Sequence, residues 1–125
     1  MATVDYFERK LDDKRRLTIP PELRDKFASG AVVSRGFGKY LHLYPKDVWD
    51  NLVEPKLAGD ILDERIADIN VQFRTGKIEQ SPDGKQGRIT IEQHLLDYAG
   101  ISRDVVAVAV GVGLNSYWRL MAQES

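Results

Sequence analysis

Arg16 and Arg88 each head the same phrase, Arg-(Leu/Ile)-Thr-Ile, and each follows a short loop crowded with charged and small polar residues. An arginine offers a planar fork of donors that matches phosphate oxygens or the O6 and N7 edge of guanine. A neighbouring lysine adds a point charge suited to phosphate. Lys14 and Arg15 precede Arg16, and Lys85 precedes Arg88, so both loops carry cations beside the leading arginine. Asp12 and Asp83 supply carboxylates that could brace those arginines as ion pairs. One such arginine alone is as readily a structural bridge to its aspartate as a ligand for an anion. Two at the same place in two copies of one phrase favour anion contact. Arg35 and Lys39 are weaker candidates of the kind that usually decorates a surface. Arg9, Lys10, Arg74 and Lys77 flank the loops and would add only salt-dependent attraction.

Charge distribution points the same way. The chain of 125 residues has a formal net charge of -1, which by itself announces no nucleic-acid partner. Locally, residues 9–16 sum to +3 and residues 74–88 to +2, whereas residues 46–68 sum to -4. Two basic loops are thus separated by an acidic segment, and a net figure hides the polarity.

Enzymatic chemistry has little to stand on. His42 and His94 are the only histidines, they have no metal-ligand spacing, and cysteine is absent. None of the serines sits in a G-x-S-x-G elbow. Gly111-Val112-Gly113 looks like half of a dinucleotide fingerprint, but it lies between two expected strands and reads as a hairpin turn. No catalytic residue, metal, cofactor or small-molecule substrate is therefore expected. No apolar run nears the roughly 18 residues of a membrane span. The N-terminus lacks the pattern of a secretion signal. The absence of thiols fits a reducing compartment.

The elements that must hold the two loops repeat as well. Residues 16–27 align with residues 88–99 at a constant offset of 72, with five of the twelve pairs identical. Neither copy is long enough to bury a core alone, so the two are expected to share one. The spacing predicts strands over 4–9, 16–19, 31–34 and 40–44, and again over 77–80, 88–91, 105–110 and 116–121. Pro21 to Phe27 and Glu92 to Ala99 read as short helices, stopped by Gly30 and Gly100. The strand over 105–110 is so continuously apolar that it is expected inside. Between the copies, 46–74 reads as helical. Glu54-Pro55 is expected to break or kink it. Asp60 is expected to cap a second helix carrying Leu62, Ile66, Ile69 and Phe73 on one face. The expected domain plan is a first half over 4–47, a helical linker over 48–75 and a second half over 76–121.

Asp12-Asp13-Lys14-Arg15-Arg16-Leu17-Thr18-Ile19-Pro20, Val33-Ser34-Arg35-Gly36-Phe37 with Leu41-His42-Leu43-Tyr44-Pro45, and Gln86-Gly87-Arg88-Ile89 with Leu95-Leu96-Asp97-Tyr98-Ala99-Gly100-Ile101 together resemble the MraZ proteins of the AbrB/SpoVT swapped-hairpin group. The resemblance runs in order over nearly the whole chain. It implies a mixed α/β, mainly β fold, in which two pseudo-symmetric swapped-hairpin half-barrels form one intrachain β-barrel with a helical linker. It also implies a cytoplasmic, nucleoid-associated bacterial regulator, usually a repressor of its own promoter in the division and cell-wall gene cluster. Such proteins assemble into rings that present paired Arg loops to short G-rich direct repeats in double-stranded DNA. On that reading Arg16, Arg88, Lys14, Arg15 and Lys85 contact DNA, and Asp12 and Asp83 brace the loops.

Two positions depart from the family's Asp-x-x-Gly-Arg pattern. Arg15 stands where the pattern has glycine, and would cost about 1 kcal/mol or more if the backbone there needs a positive φ. In the second copy Gly84 lies four residues before Arg88 and Asp83 one place early. The main alternative is therefore a ring scaffold with weak or lost DNA binding. An antitoxin-like protein-binding module is the other, although a chain ending just past its last expected strand, at Ser125, leaves no tail to grip a toxin.

Overall fold

The structure, a computed structural model, describes residues 4–82 and 87–123. The N-terminal copy contributes β1 (Tyr6–Lys10), β2 (Arg16–Thr18), a 3-10 helix (Pro21–Phe27), β3 (Ala31–Arg35) and β4 (Leu41–Pro45). A helical segment, α1 (46–57), and α2 (Glu64–Arg74) link it to the C-terminal copy. That copy contributes β5 (Ile78–Gln80), β6 (Arg88–Thr90), α3 (Gln93–Ala99), β7 (Asp104–Val110) and β8 (Tyr117–Ala122). The fold is mixed α/β and mainly sheet.

Strand pairing interleaves the two copies. A six-stranded sheet runs β1-β7-β8-β4-β3-β5, and β2 pairs with β6 as a separate two-stranded ribbon. β1 thus joins a hairpin of the other copy, with Phe7 opposite Ala107, and β5 returns the exchange, with Glu79 opposite Val32. The ribbon is antiparallel and sets Leu17 opposite Ile89. Its apolar residues Leu17, Ile19, Ile89 and Ile91 are all 0 % exposed, packed with Phe7, Val33, Leu43, Trp118 and Leu120 from the inner face of the sheet. Burying each such side chain contributes about 1.5–3 kcal/mol, enough to hold a ribbon with only three residues per strand. The short helices close the ends of this core through Leu23 and Phe27 on one side and Leu95 and Leu96 on the other.

The outer face of the sheet is treated unequally. Over β3 and β4 it is covered by the linker, where Val32, Tyr44, Val48, Trp49, Val53, Leu57 and Phe73 form a second buried cluster. Over β7 and β8 the outward residues Val106, Val108, Val110 and Met121 remain half-buried, and beside them Tyr6 is exposed. The strand read from sequence as wholly internal is therefore buried on one face only, at Val105 and Ala107.

The linker differs from expectation in two details. Of the break or kink expected at Glu54-Pro55, the structure shows a distortion and no break. The turn before the proline, Trp49–Val53, widens to π geometry, and Pro55 falls at the start of the closing α-turn Glu54–Leu57, where a missing N–H is tolerated. The cap of α2 is Asp63, whose carboxylate accepts the Arg65 N–H, while Asp60 accepts the Leu62 N–H in the preceding turn. Leu62 accordingly lies ahead of the helix and fully in solvent, whereas Ile66, Ile69 and Phe73 face inward.

Candidate nucleic-acid interface

The first loop is built around one carboxylate. Asp12 accepts hydrogen bonds from the backbone N–H groups of Lys14 and Arg16, both at 2.9 Å. The Arg15 N–H donates to the Asp12 carbonyl at 3.0 Å, and the Asp12 N–H to the Arg16 carbonyl at 3.2 Å. This is a type I turn followed by a bulge, a geometry that places the residue after the turn in the left-handed region. Arg15 occupies that position with φ 59°, alone among the described non-glycine residues in having positive φ. The counterpart 72 residues on is Gly87, with φ 60°. The two are matched in backbone bonding as well, because Ile91 N–H donates to the Arg15 carbonyl (2.9 Å) and Ile19 N–H to the Gly87 carbonyl (2.8 Å). The concern raised by the sequence is thus realised: the backbone does need positive φ at position 15, at a cost of about 1–2 kcal/mol for a residue with a Cβ.

The ribbon register then brings the leading arginines together. With Arg16 opposite Thr90 and Arg88 opposite Thr18, the two side chains share one region of the ribbon. Arg16 Nε donates to Asp12 Oδ2 at 2.6 Å, and Arg88 Nη1 lies 3.9 Å from the same oxygen. One carboxylate therefore serves an arginine from each copy. Burial pushes the Asp12 carboxyl up, but the backbone and guanidinium hydrogen bonds from Arg16, with the Lys14 N–H, outweigh it and hold the group below the usual carboxylate range. Both side chains are about a quarter exposed, at 23% and 27%, so they are held by the ribbon without being sealed from solvent.

The other sequence candidates separate into groups. Lys14 is exposed on the turn, and Arg15 is half-buried with its Nε covered. Asp83 and Lys85 lie outside the described residues. Arg9 is drawn inward, its Nε donating to the Thr18 carbonyl. Arg35 stacks on Tyr98 with its guanidinium 4.4 Å from the ring centroid, and Lys39 lies 5.7 Å from the same ring. Tyr98 in turn hydrogen-bonds Gln72 and the Gly38 carbonyl, so these two cations belong to the clamp on the β3–β4 hairpin. Arg74 pairs with Glu54, and Lys77 sits 4.8 Å over the Trp49 ring, both tying down the linker.

Arg24 was missed. Its side chain lies against Gly87, where an added Cβ would come within 2.9 Å of Nε, and it lines a shallow cleft with Phe27, Ser81 and Pro82. A comparison of the repeats could have found it, because position 24 is arginine where the other copy has the buried Leu96.

His42 is fully buried and plays no part at this surface. Its Nδ1 is 2.7 Å from the Tyr44 hydroxyl, its Nε2 has no partner among the described residues, and Phe73 and Tyr117 pack around it. Burial, helped by the charge of Arg119, pulls its pKa down to about 4, and burial pushes the Tyr44 hydroxyl up. Beside this cluster the linker and sheet border an open groove of about 390 Å³, apolar except for Lys56 and the tyrosines. Among the described residues no group of acidic, histidine or cysteine side chains could hold a metal, and no helix is long and apolar enough to cross a membrane.

Known proteins resemble this chain over almost its full length. A family model described as "MraZ protein, putative antitoxin-like" matches residues 5–63. The Transcriptional regulator MraZ of Kineococcus radiotolerans is 33% identical over 116 residues, 93% of this chain and 80% of that protein. That of Salinispora arenicola is 32% identical over the same spans, and that of Roseiflexus sp. (strain RS-1) is 33% identical over 93% of this chain and 78% of its own. These relatives are named as regulators and not as enzymes. With one third of its residues shared across this whole repeated frame, the chain belongs to the MraZ family.

Proposed function

We propose that this protein is a cytoplasmic, nucleoid-associated transcriptional regulator that binds double-stranded DNA through Arg16 and Arg88. The observation that carries this reading is the convergence of one arginine from each copy on a common Asp12 carboxylate. Braced guanidiniums can present their forks to guanine edges or phosphates with little loss of side-chain freedom. Lys14, and Lys85 in the second loop, supply sequence-independent attraction. We extend this reading to repression of the division and cell-wall gene cluster, including its own promoter, through short G-rich direct repeats, as the resemblance of the sequence motifs implies.

A single subunit neutralises few phosphates and carries an acidic linker, so its affinity is weak. A ring that offers several arginine pairs in register raises the effective concentration of each further contact. The half-buried Val106, Val108, Val110 and Met121 on the uncovered outer face support a subunit contact there. Fluorescence anisotropy tests the reading, with a duplex of spaced G-rich repeats beside a shuffled duplex at two salt concentrations. Repeat-selective binding that is lost in both Arg16→Ala and Arg88→Ala is the expected result. A folded, oligomeric protein with no binding at low salt would leave the ring scaffold as the function.

A further inference from the structure

The two loops solve one backbone problem with different residues. Positions 15 and 87 share φ near 60° and the same ribbon hydrogen bond, yet one is arginine and the other glycine. At position 87 glycine meets this φ without strain, and a Cβ there would come within 2.9 Å of the Arg24 side chain, which would have to shift. At position 15 the chain accepts a strained conformation that glycine would relieve.

Among the described residues, no side-chain partner accounts for keeping that strain. The Arg15 N–H and carbonyl make the turn's bonds, and any residue with a backbone N–H could make them. Its side chain makes no hydrogen bond or ion pair among the described residues, and its Nε is covered without a partner. The side chain is half-buried, and no described residue takes up its guanidinium donors. The turn that strains Arg15 is also the one in which Asp12 aims Arg16, and Lys14 is exposed beside it. Observed backbone strain of this kind is a pointer to function when the surrounding structure holds it in place.

We infer that Arg15 is a phosphate-contact residue that trades folding stability for DNA affinity. This rests on the reading that the ribbon loops face DNA, and it assigns the chain's departure from the family's glycine to that contact. Arg15 positions the loop on the backbone of the duplex, whereas Arg16 and Arg88 are the residues placed to read bases. A phosphate contact carries no sequence information, so its loss weakens every duplex alike.

Arg15→Gly separates the two halves of the trade. The variant should melt about 3–6 °C higher, because glycine adopts this φ freely. The same variant should bind both the repeat duplex and the shuffled duplex roughly tenfold more weakly near 0.1 M salt, with the slope of log K against log salt reduced by about 0.9. Arg15→Lys keeps the charge and should retain the slope. Arg15→Asn, which tolerates the left-handed region, should lose it without depending on glycine's flexibility. A wild type that binds duplex, paired with an Arg15→Gly variant of unchanged slope, would overturn this inference and leave the proposed function standing. Arg15→Gly melting below wild type would overturn it too, by removing the strain. A wild type that binds no duplex would overturn both.

Discussion

The two halves of the molecule use one ribbon and differ in what surrounds it. On the ribbon the match is close: both strands are three residues long, both leading arginines reach Asp12, and each turn carbonyl accepts from the equivalent isoleucine of the other copy, Arg15 from Ile91 and Gly87 from Ile19. Away from it the symmetry fails twice. The turn residue is Arg15 in one loop and Gly87 in the other, and the linker covers the outer face of one hairpin while the other stays open. Symmetry is kept where two copies must bury a common core. It is broken at the turn residue and on the outer face, away from that core.

The largest expected effect lies under the covered face. His42 has an ordinary pKa of 6.5 and is held at about 4 in the fold. Between those values the unfolded chain binds a proton that the native protein refuses, so stability falls as pH drops through 6.5 and levels off below 4. The whole loss is about 3 kcal/mol. Denaturant midpoints measured from pH 7 to 4 should trace it, and His42→Gln should flatten the curve in that window. The depressed carboxyl of Asp12 acts lower, contributing stability above its ordinary 3.8 that is lost as pH falls further. A decline that begins only below pH 4 would show that the covered face imposes no such penalty.

Making the loops alike should come next. Gly87→Arg gives the second loop the residue of the first. The strain of the first loop is then repeated, and the new Cβ must also displace Arg24. The flexible arginine can yield, so the expected loss is about 2 kcal/mol, read by chemical denaturation. Equal effects for Gly87→Arg and Gly87→Asn would assign the loss to the Cβ alone and not to the arginine.

How much of this was legible in the sequence follows from what sequence carries. The constant offset between the copies exposed the ribbon strands and both short helices, because turn residues and alternation are local signals. Exchange of β1 and β5 between hairpins is a tertiary choice that no local pattern carries, and the resemblance implies only the swapped-hairpin class. The Asp12–Arg88 approach depends on ribbon register, which no spacing within one copy reveals. Asp60 and Asp63 look alike as caps, and only the start of α2 chooses between them. Glu54-Pro55 signals a break or a kink without choosing between them, because a π-turn ahead of the proline leaves no mark in composition. The apolar run of β7 gave its length and not its partner, so one face was assigned a cover it lacks.

The common brace offers a smaller and more selective probe. Asp12→Asn keeps an acceptor for the Lys14 and Arg16 N–H groups but removes the charge that both leading arginines approach. Its carboxylate is partly solvated, and ion pairs of that kind contribute little to folding. Thermal melting should therefore shift less than for Gly87→Arg, while discrimination between repeat and shuffled duplexes should drop, since two guanidiniums lose their aim together. If selectivity survives, the arginines are positioned by the ribbon alone.

The least change in folding is expected on the open face. Val108 points outward from β7, half-buried and opposite Tyr6 on one side and Arg119 on the other. Val108→Lys places an ammonium between Val106 and Val110 in the outward row of β7, and a lysine there can extend into water. A surface substitution of this kind normally alters the stability of a subunit by no more than about 0.5 kcal/mol. The equivalent change under the linker, at Val32, would bury a charge and unfold the chain, because Val32 is wholly enclosed. Sedimentation of Val108→Lys then separates two meanings of the open face. Loss of oligomer from a variant that still melts like wild type identifies the patch as the subunit contact. Unchanged assembly moves that contact elsewhere and leaves the uncovered half of the sheet as ordinary surface.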